Sequence, residues 1–285
     1  MMRKQGERLP GGKKSPLWGR LAAALLCLCL LFTLLPATAL AAAPSGQVLY
    51  AGGVQISSTG YWTTDSEGNV TAYSGTGTPA GNYIHYCADN NILTLHNATI
   101  KKALDYGNSP PNSLISGAAI GVLNQSGNAE LTIQLEGDNT IEDVSTGIYV
   151  LAHSSSTGAA SLTITGENGG SLNASGSRNS GIRVQSNSGD ATLTIKNAEV
   201  TATSEYDSGV WVQADDSSDA SLSMDGGSLT ATGNSNYGAG IQYTFGSSSS
   251  GSGTPSLTVS GNAIVKASGR AGGITSNSSP VTPSG

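Results

Sequence analysis

A short alternation of apolar and hydroxyl residues recurs six times along the 285-residue chain. Each copy has an apolar residue, then Thr or Ser, then a second apolar residue. The copies begin at Leu93, Leu131, Leu162, Leu193, Leu222 and Leu257, at intervals of 38, 31, 31, 29 and 35 residues. Alternation with a period of two predicts β-strands, and recurrence at this spacing predicts stacked structural repeats.

Two further short strands are predicted after each motif. The second follows a turn rich in Gly or Asn and carries an inward pair that ends in alanine. These pairs are Leu172/Ala174, Val200/Ala202, Leu229/Ala231 and Val265/Ala267. The third strand usually follows a glycine, as at Gly147, Gly181, Gly209, Gly240 and Gly273. We expect the corners to use glycine because they require positive φ.

Three strands with one apolar face each cannot bury those faces alone, but stacked units form one continuous core. The sequence therefore predicts an all-β fold, a right-handed parallel β-helix of about six three-strand coils over residues 93–275. A β-propeller fits less well, since its blades need about 40 residues and four strands. Sandwich strands would not share one motif at one phase.

The flanking segments predict a secreted protein. Residues 1–41 combine a basic start, the apolar run 21–35 and small residues near Ala41, which is typical of a secretory signal peptide. Residues 42–92 break the repeat and are predicted to form an N-terminal β cap, with a hairpin at 48–56 and a strand at 83–87. Residues 276–285 are rich in Ser, Pro and Thr and predict a linker-like tail. We expect an extracellular or cell-wall-associated location, with no membrane segment after cleavage.

Charge and cysteine content restrict the partners. Removing residues 1–41 takes away six of the 13 basic residues but one of the 19 acidic ones, which leaves a net charge of about −11. A surface of this sign repels phosphate backbones, so we expect no nucleic acid partner. Cys87 is then the remaining cysteine and has no partner for an internal disulfide. The secreted protein is expected to be a monomer.

The middle residue of each third strand is predicted to face outward, because side chains alternate along a strand. Taken from one coil to the next, these residues are Gly121, Tyr149, Arg183, Trp211, Gln242 and Thr275. An aromatic ring can stack on a sugar, while Arg and Gln can hydrogen-bond its hydroxyl groups. The predicted ligand-binding residues are Tyr149, Arg183, Trp211, Gln185, Gln213 and Gln242. Cross-strand packing alone would also account for these residue types.

A calcium site is a further hypothesis. Asp190 and Asp219 each stand three residues before a Leu motif, so stacking would place their carboxylates about 5 Å apart. Asp215 and Asp216 belong to the same turn region. Calcium takes six to eight oxygen ligands, which Asp-rich turns can supply. The alternative is that these carboxylates occupy turns and face water, as aspartates commonly do.

Several segments carry a family resemblance. They are Leu49–Val54, Leu93–Ile100 and Gly137–Ile141, together with the recurring Leu-Thr-Ile motif. The chain resembles secreted β-helix proteins of Gram-positive anaerobes that are labelled carbohydrate-binding domain proteins. The resemblance implies a solenoid like that of pectate lyases but without lyase activity, in some members binding acidic polysaccharide with calcium.

Three functions are consistent with these observations. The first is a non-catalytic module that binds extracellular polysaccharide, and the second is an adhesin or spacer with no glycan ligand. The third is a polysaccharide lyase or glycoside hydrolase. Asp215 and Asp216 form a carboxylate pair, but no His, Arg or Lys stands at the equivalent phase of a neighbouring coil to complete a catalytic group. We therefore expect a protein that is not an enzyme.

Overall fold

Successive strands of the described chain coil around one apolar interior, each lying beside the equivalent strand of the previous coil. The computed structural model describes residues 42–285 except 106, 108–111, 155–157, 167–168, 216 and 247–251. The predicted signal peptide, residues 1–41, lies outside the described residues. No helix in the described part has the length and apolar character needed to cross a bilayer.

The described residues contain six coils of three strands. Coil 1 is β6 (Ile92–His96), β7 (Thr99–Ile100) and β8 (Ala118–Asn124), and coil 2 is β9 (Ala129–Glu136), β10 (Asp138–Ile141) and β11 (Thr146–Ala152). Coil 3 is β12 (Ala160–Thr165), β13 (Ser171–Gly176) and β14 (Ile182–Ser186), and coil 4 is β15 (Ala191–Lys196), β16 (Glu199–Ser204) and β17 (Val210–Ala214). Coil 5 is β18 (Ala220–Asp225), β19 (Ser228–Gly233) and β20 (Ala239–Phe245), and coil 6 is β21 (Pro255–Ser260), β22 (Ile264–Gly269) and β23 (Gly272–Ser276).

The first, second and third strands of the coils form three parallel sheets, named here sheets 1, 2 and 3. This arrangement confirms the predicted all-β parallel solenoid. Leu131, Leu162, Leu193, Leu222 and Leu257 stand in register on sheet 1. All five are buried, because the alternation turns them into the shared interior. The alanine-ending pairs of sheet 2 are in register as well.

The register of coil 1 differs from the prediction. If every copy of the motif stacked in one register, Leu93 would pair with Leu131, but it pairs with Ile133, and Leu95 pairs with Leu135. The motif is therefore shifted by two residues between the first two coils. A shift of two keeps every side chain on its predicted face, so the apolar pattern cannot distinguish the two registers.

The glycines that precede the third strands have a different role from the predicted one. None of these five residues has positive φ. A Cβ on Gly209 would stand 2.5 Å from the carbonyl oxygen of Ala202 and 2.5 Å from the amide nitrogen of Thr232 in the next coil. Backbone from two coils likewise approaches Gly181 and Gly240, whereas Gly147 meets only the next coil and Gly273 only its own. Positive φ instead occurs at the corner between the first and second strands of a coil, for example at Asn97, Gly137 and Asn197.

The two ends of the solenoid are closed by different means. The cap contains β1 (Val48–Ala51), β2 (Val54–Ile56), β3 (Gly60–Thr64), β4 (Val70–Ala72) and β5 (Tyr83–Cys87). The predicted hairpin is β1 and β2, while β1 and β5 extend sheets 3 and 1 by antiparallel pairing with β8 and β6. At the other end, the predicted linker-like tail contains β24 (Thr282–Ser284), which pairs with β21. This strand satisfies backbone groups that an edge strand would leave unpaired.

Candidate functional site

The outward side of sheet 3 carries the predicted row of side chains in register. Tyr149 pairs with Arg183, Arg183 with Trp211, and Trp211 with Gln242. Gly121 and Thr275 continue the row at its two ends. The second outward row contains Leu151, Gln185, Gln213 and Thr244. Parallel strands with constant register therefore place the predicted residues on one surface, named here the ladder face.

Arg183 is held between two aromatic rings. Its guanidinium carbon lies 5.0 Å from the centre of the Tyr149 ring and 4.0 Å from the centre of the Trp211 ring. Each such contact contributes about 0.5–1 kcal/mol at an exposed site and more when it is desolvated. Because the guanidinium covers one face of each ring, that face is closed to a ligand.

Hydrogen bonds orient the polar groups of the ladder face. The Tyr149 hydroxyl donates to Gln185 Oε1 at 2.6 Å, and Arg183 donates to Gln213 Oε1 at 3.1 Å. Trp211 Nε1 donates to Thr244 Oγ1 at 2.7 Å. The glutamine side chains are therefore held in defined orientations by the row beside them, which lowers the entropy cost of binding a ligand.

The end of the ladder face nearest the cap is covered. Tyr149 packs against a small apolar cluster whose members are Tyr50, Leu104, Ile115, Leu123 and Leu151. Burial raises the pKa of the Tyr149 hydroxyl, and the nearby charge of Arg183 opposes this effect. Tyr149, Trp211, Gln213 and Gln242 are all half-buried, but Trp211, Gln213 and Gln242 lie farther along the face from this cluster. Any ligand would therefore contact the Trp211 end of the face more readily than the Tyr149 ring.

A carboxylate that the sequence analysis did not identify lies near Arg183. Asp207 is at the corner before β17, where burial raises the pKa of its carboxyl group. The backbone N–H of Ser208, which donates to Asp207 Oδ1 at 2.7 Å, and the charge of Arg183 both oppose that rise. No sequence signal indicates this proximity, because it depends on how the corner folds against sheet 3.

The proposed calcium ligands make hydrogen bonds between coils. Asp190 Oδ1 accepts from the backbone N–H of Asp219 at 2.9 Å, and Asp219 Oδ1 accepts from that of Thr254 at 3.2 Å. Asp215 is half-buried in the adjacent turn, and Asp216 lies outside the described residues. No group of three metal-ligating side chains occurs among the described residues. Calcium binding here stays a prediction, and the geometry gives two of these carboxylates a structural role.

A cluster of aromatic and titratable side chains on the outward side of sheet 1 was not predicted from the sequence either. The rings of Tyr61 and His85 are stacked with their centres 4.3 Å apart, and those of Tyr83 and His96 are stacked with their centres 4.6 Å apart. His96 Nδ1 lies 3.1 Å from Glu136 Oε2. Burial lowers the pKa of His85, while the negative charge of Glu136 opposes that effect. Antiparallel pairing of the cap strands with coil 1 creates this cluster, and residue spacing did not reveal it.

Comparison with protein-family models, curated protein sequences and solved structures finds no match.

Proposed function

We propose that the protein is a secreted or cell-surface module that binds extracellular polysaccharide through the ladder face without cleaving it. The observation that carries this proposal is the in-register row of Tyr149, Arg183 and Trp211 beside Gln185 and Gln213. Side chains from several coils form one linear array that repeats about every 4.8 Å along the solenoid. A polymer with repeating sugar units can contact such an array at several coils at once.

The charge of the chain favours a neutral polysaccharide. The net charge of the whole chain is −6, and residues 1–41 contribute six of the 13 basic side chains but one of the 19 acidic ones. Long-range repulsion therefore disfavours polymers that carry a carboxylate on every sugar. Gln213 and Gln242 can exchange hydrogen bonds with sugar hydroxyls, and the half-buried ring of Trp211 offers an apolar contact.

A structural adhesin or spacer without a glycan ligand is the second candidate. The observation that favours it is the position of Arg183, whose contacts with Tyr149 and Trp211 stabilise the sheet without any ligand. A polysaccharide lyase or glycoside hydrolase is the third. Measurements of binding and of product formation distinguish the three candidates.

Affinity electrophoresis against a panel of neutral and acidic polysaccharides, with and without calcium, tests the proposal. We expect at least one neutral polysaccharide to retard the wild-type protein. Trp211→Ala and Arg183→Ala should reduce that retardation, whereas Tyr73→Ala in the cap serves as an aromatic control and should not. Wild-type retardation in both ladder-face variants would contradict the proposed site. Release of shorter products from the bound polymer would contradict the absence of catalysis.

A further inference from the structure

Two tyrosines project from neighbouring corners between sheets 2 and 3. Tyr206 follows β16 and is 69% exposed, and Tyr237 follows β19 and is 87% exposed. They are the two most exposed large apolar side chains in the described part of the chain. Both rings are therefore accessible to a ligand, in contrast to the rings that enclose Arg183. An exposed aromatic ring beside polar groups is a common contact for sugars and other flat apolar surfaces.

The corners that carry these tyrosines stack through backbone hydrogen bonds from coil to coil. Glu205 N–H donates to the carbonyl of Gly176 at 3.0 Å, and Asn234 N–H donates to that of Ser204 at 2.9 Å. On either side of these bonds, Ser177 N–H donates to the carbonyl oxygen of Val144 at 2.8 Å, and Ala271 N–H donates to the carbonyl oxygen of Gly238 at 3.1 Å. The surface between the corners is therefore built on an ordered backbone, which preserves the positions of its side chains.

Two clefts run along these corners and share Glu205 and Asn234 in their walls. One cleft has a volume of about 330 Å³ and begins at Glu142 and Asp143 in coil 2. The other is a shallow, open depression of about 490 Å³ that reaches Arg270 in coil 6. Together they form the corner groove, whose four coil-to-coil steps give a length of roughly 19 Å along the solenoid. This shape suits an extended chain molecule.

Apart from Tyr206, Tyr237 and one glycine, the residues that line the corner groove are polar, and their charges are unevenly placed. Glu142 and Asp143 place two carboxylates in its first half, where Glu142 also pairs with Lys101 at 2.8 Å, and Glu205 lies in the wall that both clefts share. In the second half, Arg270 donates to Asn236 Oδ1 at 3.0 Å and is thereby oriented beside the tyrosines. Carboxylates accept hydrogen bonds from hydroxyl groups but repel other carboxylates. The lining therefore favours a neutral polyhydroxylated ligand over an anionic one.

We propose that the corner groove is a second glycan-binding site, which takes a neutral linear oligosaccharide with Tyr206 and Tyr237 stacked against its sugar rings. The site is separate from the ladder face and does not depend on it. Two exposed rings within a polar groove differ from the contiguous apolar patch that marks a protein-binding surface. An oligosaccharide lying along the groove would present a new sugar unit to each coil it crosses.

Titration calorimetry with a panel of neutral and uronic acid oligosaccharides tests the proposal. We expect a neutral oligosaccharide to bind the wild-type protein and the Tyr206→Ala/Tyr237→Ala variant to bind it about tenfold or more weakly. Tyr206→Phe/Tyr237→Phe retains both rings and should bind close to wild type. Because both side chains are exposed, the melting temperature of either variant should not change.

The ladder-face variant Trp211→Ala distinguishes this proposal from the proposed function. It should leave binding of the oligosaccharide to the corner groove unchanged while reducing retardation by polysaccharide. Wild-type affinity in Tyr206→Ala/Tyr237→Ala would overturn the corner-groove proposal, and so would a preference for uronic acid oligosaccharides. Failure of every neutral oligosaccharide to bind would also overturn it. In that case, a polysaccharide that retards the wild-type protein more than Trp211→Ala would still support the ladder face.

Discussion

Coil 4 and coil 6 follow the same repeat but differ in how well they bury it. On sheet 2, Val200 of coil 4 stands in register with Leu229 and, one coil farther, with Val265 of coil 6. Val200 is 2% exposed, whereas Val265 is half-buried. The difference arises because coil 4 has a stacked coil on both sides, and the sheet 2 strand of coil 6 ends its sheet. Burial in a solenoid depends on neighbouring coils as much as on the residues themselves.

Sheet 1 of coil 6 supports this explanation. Its interior residue Leu257 is 3% exposed, since β24 pairs alongside β21 and covers it. Sheet 2 has no such additional strand after β22 in the described residues. Within one coil, the presence of a neighbouring strand therefore separates a buried position from a partly exposed one.

The largest expected effect comes from a charge in the middle of the stack. Leu193 is fully buried between Leu162 and Leu222. Leu193→Ala should lower the free energy of unfolding by about 2–5 kcal/mol, and Leu193→Asp should prevent stable folding because an unpaired charge would be buried. Thr194→Asp changes the adjacent outward residue and serves as the control. Circular dichroism during thermal and chemical denaturation measures the stability of each variant. An unchanged melting temperature for Leu193→Asp would contradict the position of Leu193 in the buried interior.

The corner glycines allow a direct comparison of the two coils. Backbone atoms of Ala202 and Thr232, from two coils, surround the Cβ position of Gly209, while Gly273 has only Ala267 of its own coil nearby. Gly209→Ala should therefore cost on the order of 3 kcal/mol through overpacking, and Gly273→Ala should cost less. Denaturant titration of both variants measures the difference. Equal losses would mean that stacking does not cause the glycine requirement.

Matched valine truncations should show a smaller difference. Val200→Ala removes buried methyl groups and should cost about 2 kcal/mol. Val265→Ala removes the same groups from a half-buried site and should cost less than about 1 kcal/mol. Chemical denaturation provides both values. If Val265→Ala proved as costly as Val200→Ala, a covering surface would have to bury the end of sheet 2 in solution.

The smallest expected effect concerns pH. Asp207 lies at the corner between β16 and β17 of coil 4, where burial raises the pKa of its carboxyl group. The folded state therefore binds the proton of this carboxyl group more tightly than the unfolded state does. Its contribution to stability is therefore fully present below the unfolded pKa of about 3.9 and is lost as pH rises through the folded pKa. Asp207→Asn should remove that loss and flatten the stability profile between acidic and neutral pH. Parallel unfolding curves for variant and wild type across this range would contradict the raised pKa.

The repeat by itself determined much of this protein. Leucines in one motif at nearly constant spacing indicated parallel stacking, and the alternation of side chains identified both the interior and the outward row that includes Arg183 and Trp211. Both inferences depend on local geometry, since the face to which a side chain points depends on whether its position in the strand is odd or even. The same parity argument could not reveal the two-residue shift between Leu93 and Leu131, because a shift of two preserves it.

Only the tertiary structure decided which surfaces are open. The sequence places Tyr149 in the same outward row as Trp211, yet the first ring packs against the apolar cluster that contains Leu104 and Ile115, and Arg183 covers one face of each ring. It contains no signal that Tyr206 and Tyr237 lie at neighbouring corners with their rings exposed. Corners vary in length and carry no period, so the exposure of their side chains depends on how one coil stacks on the next.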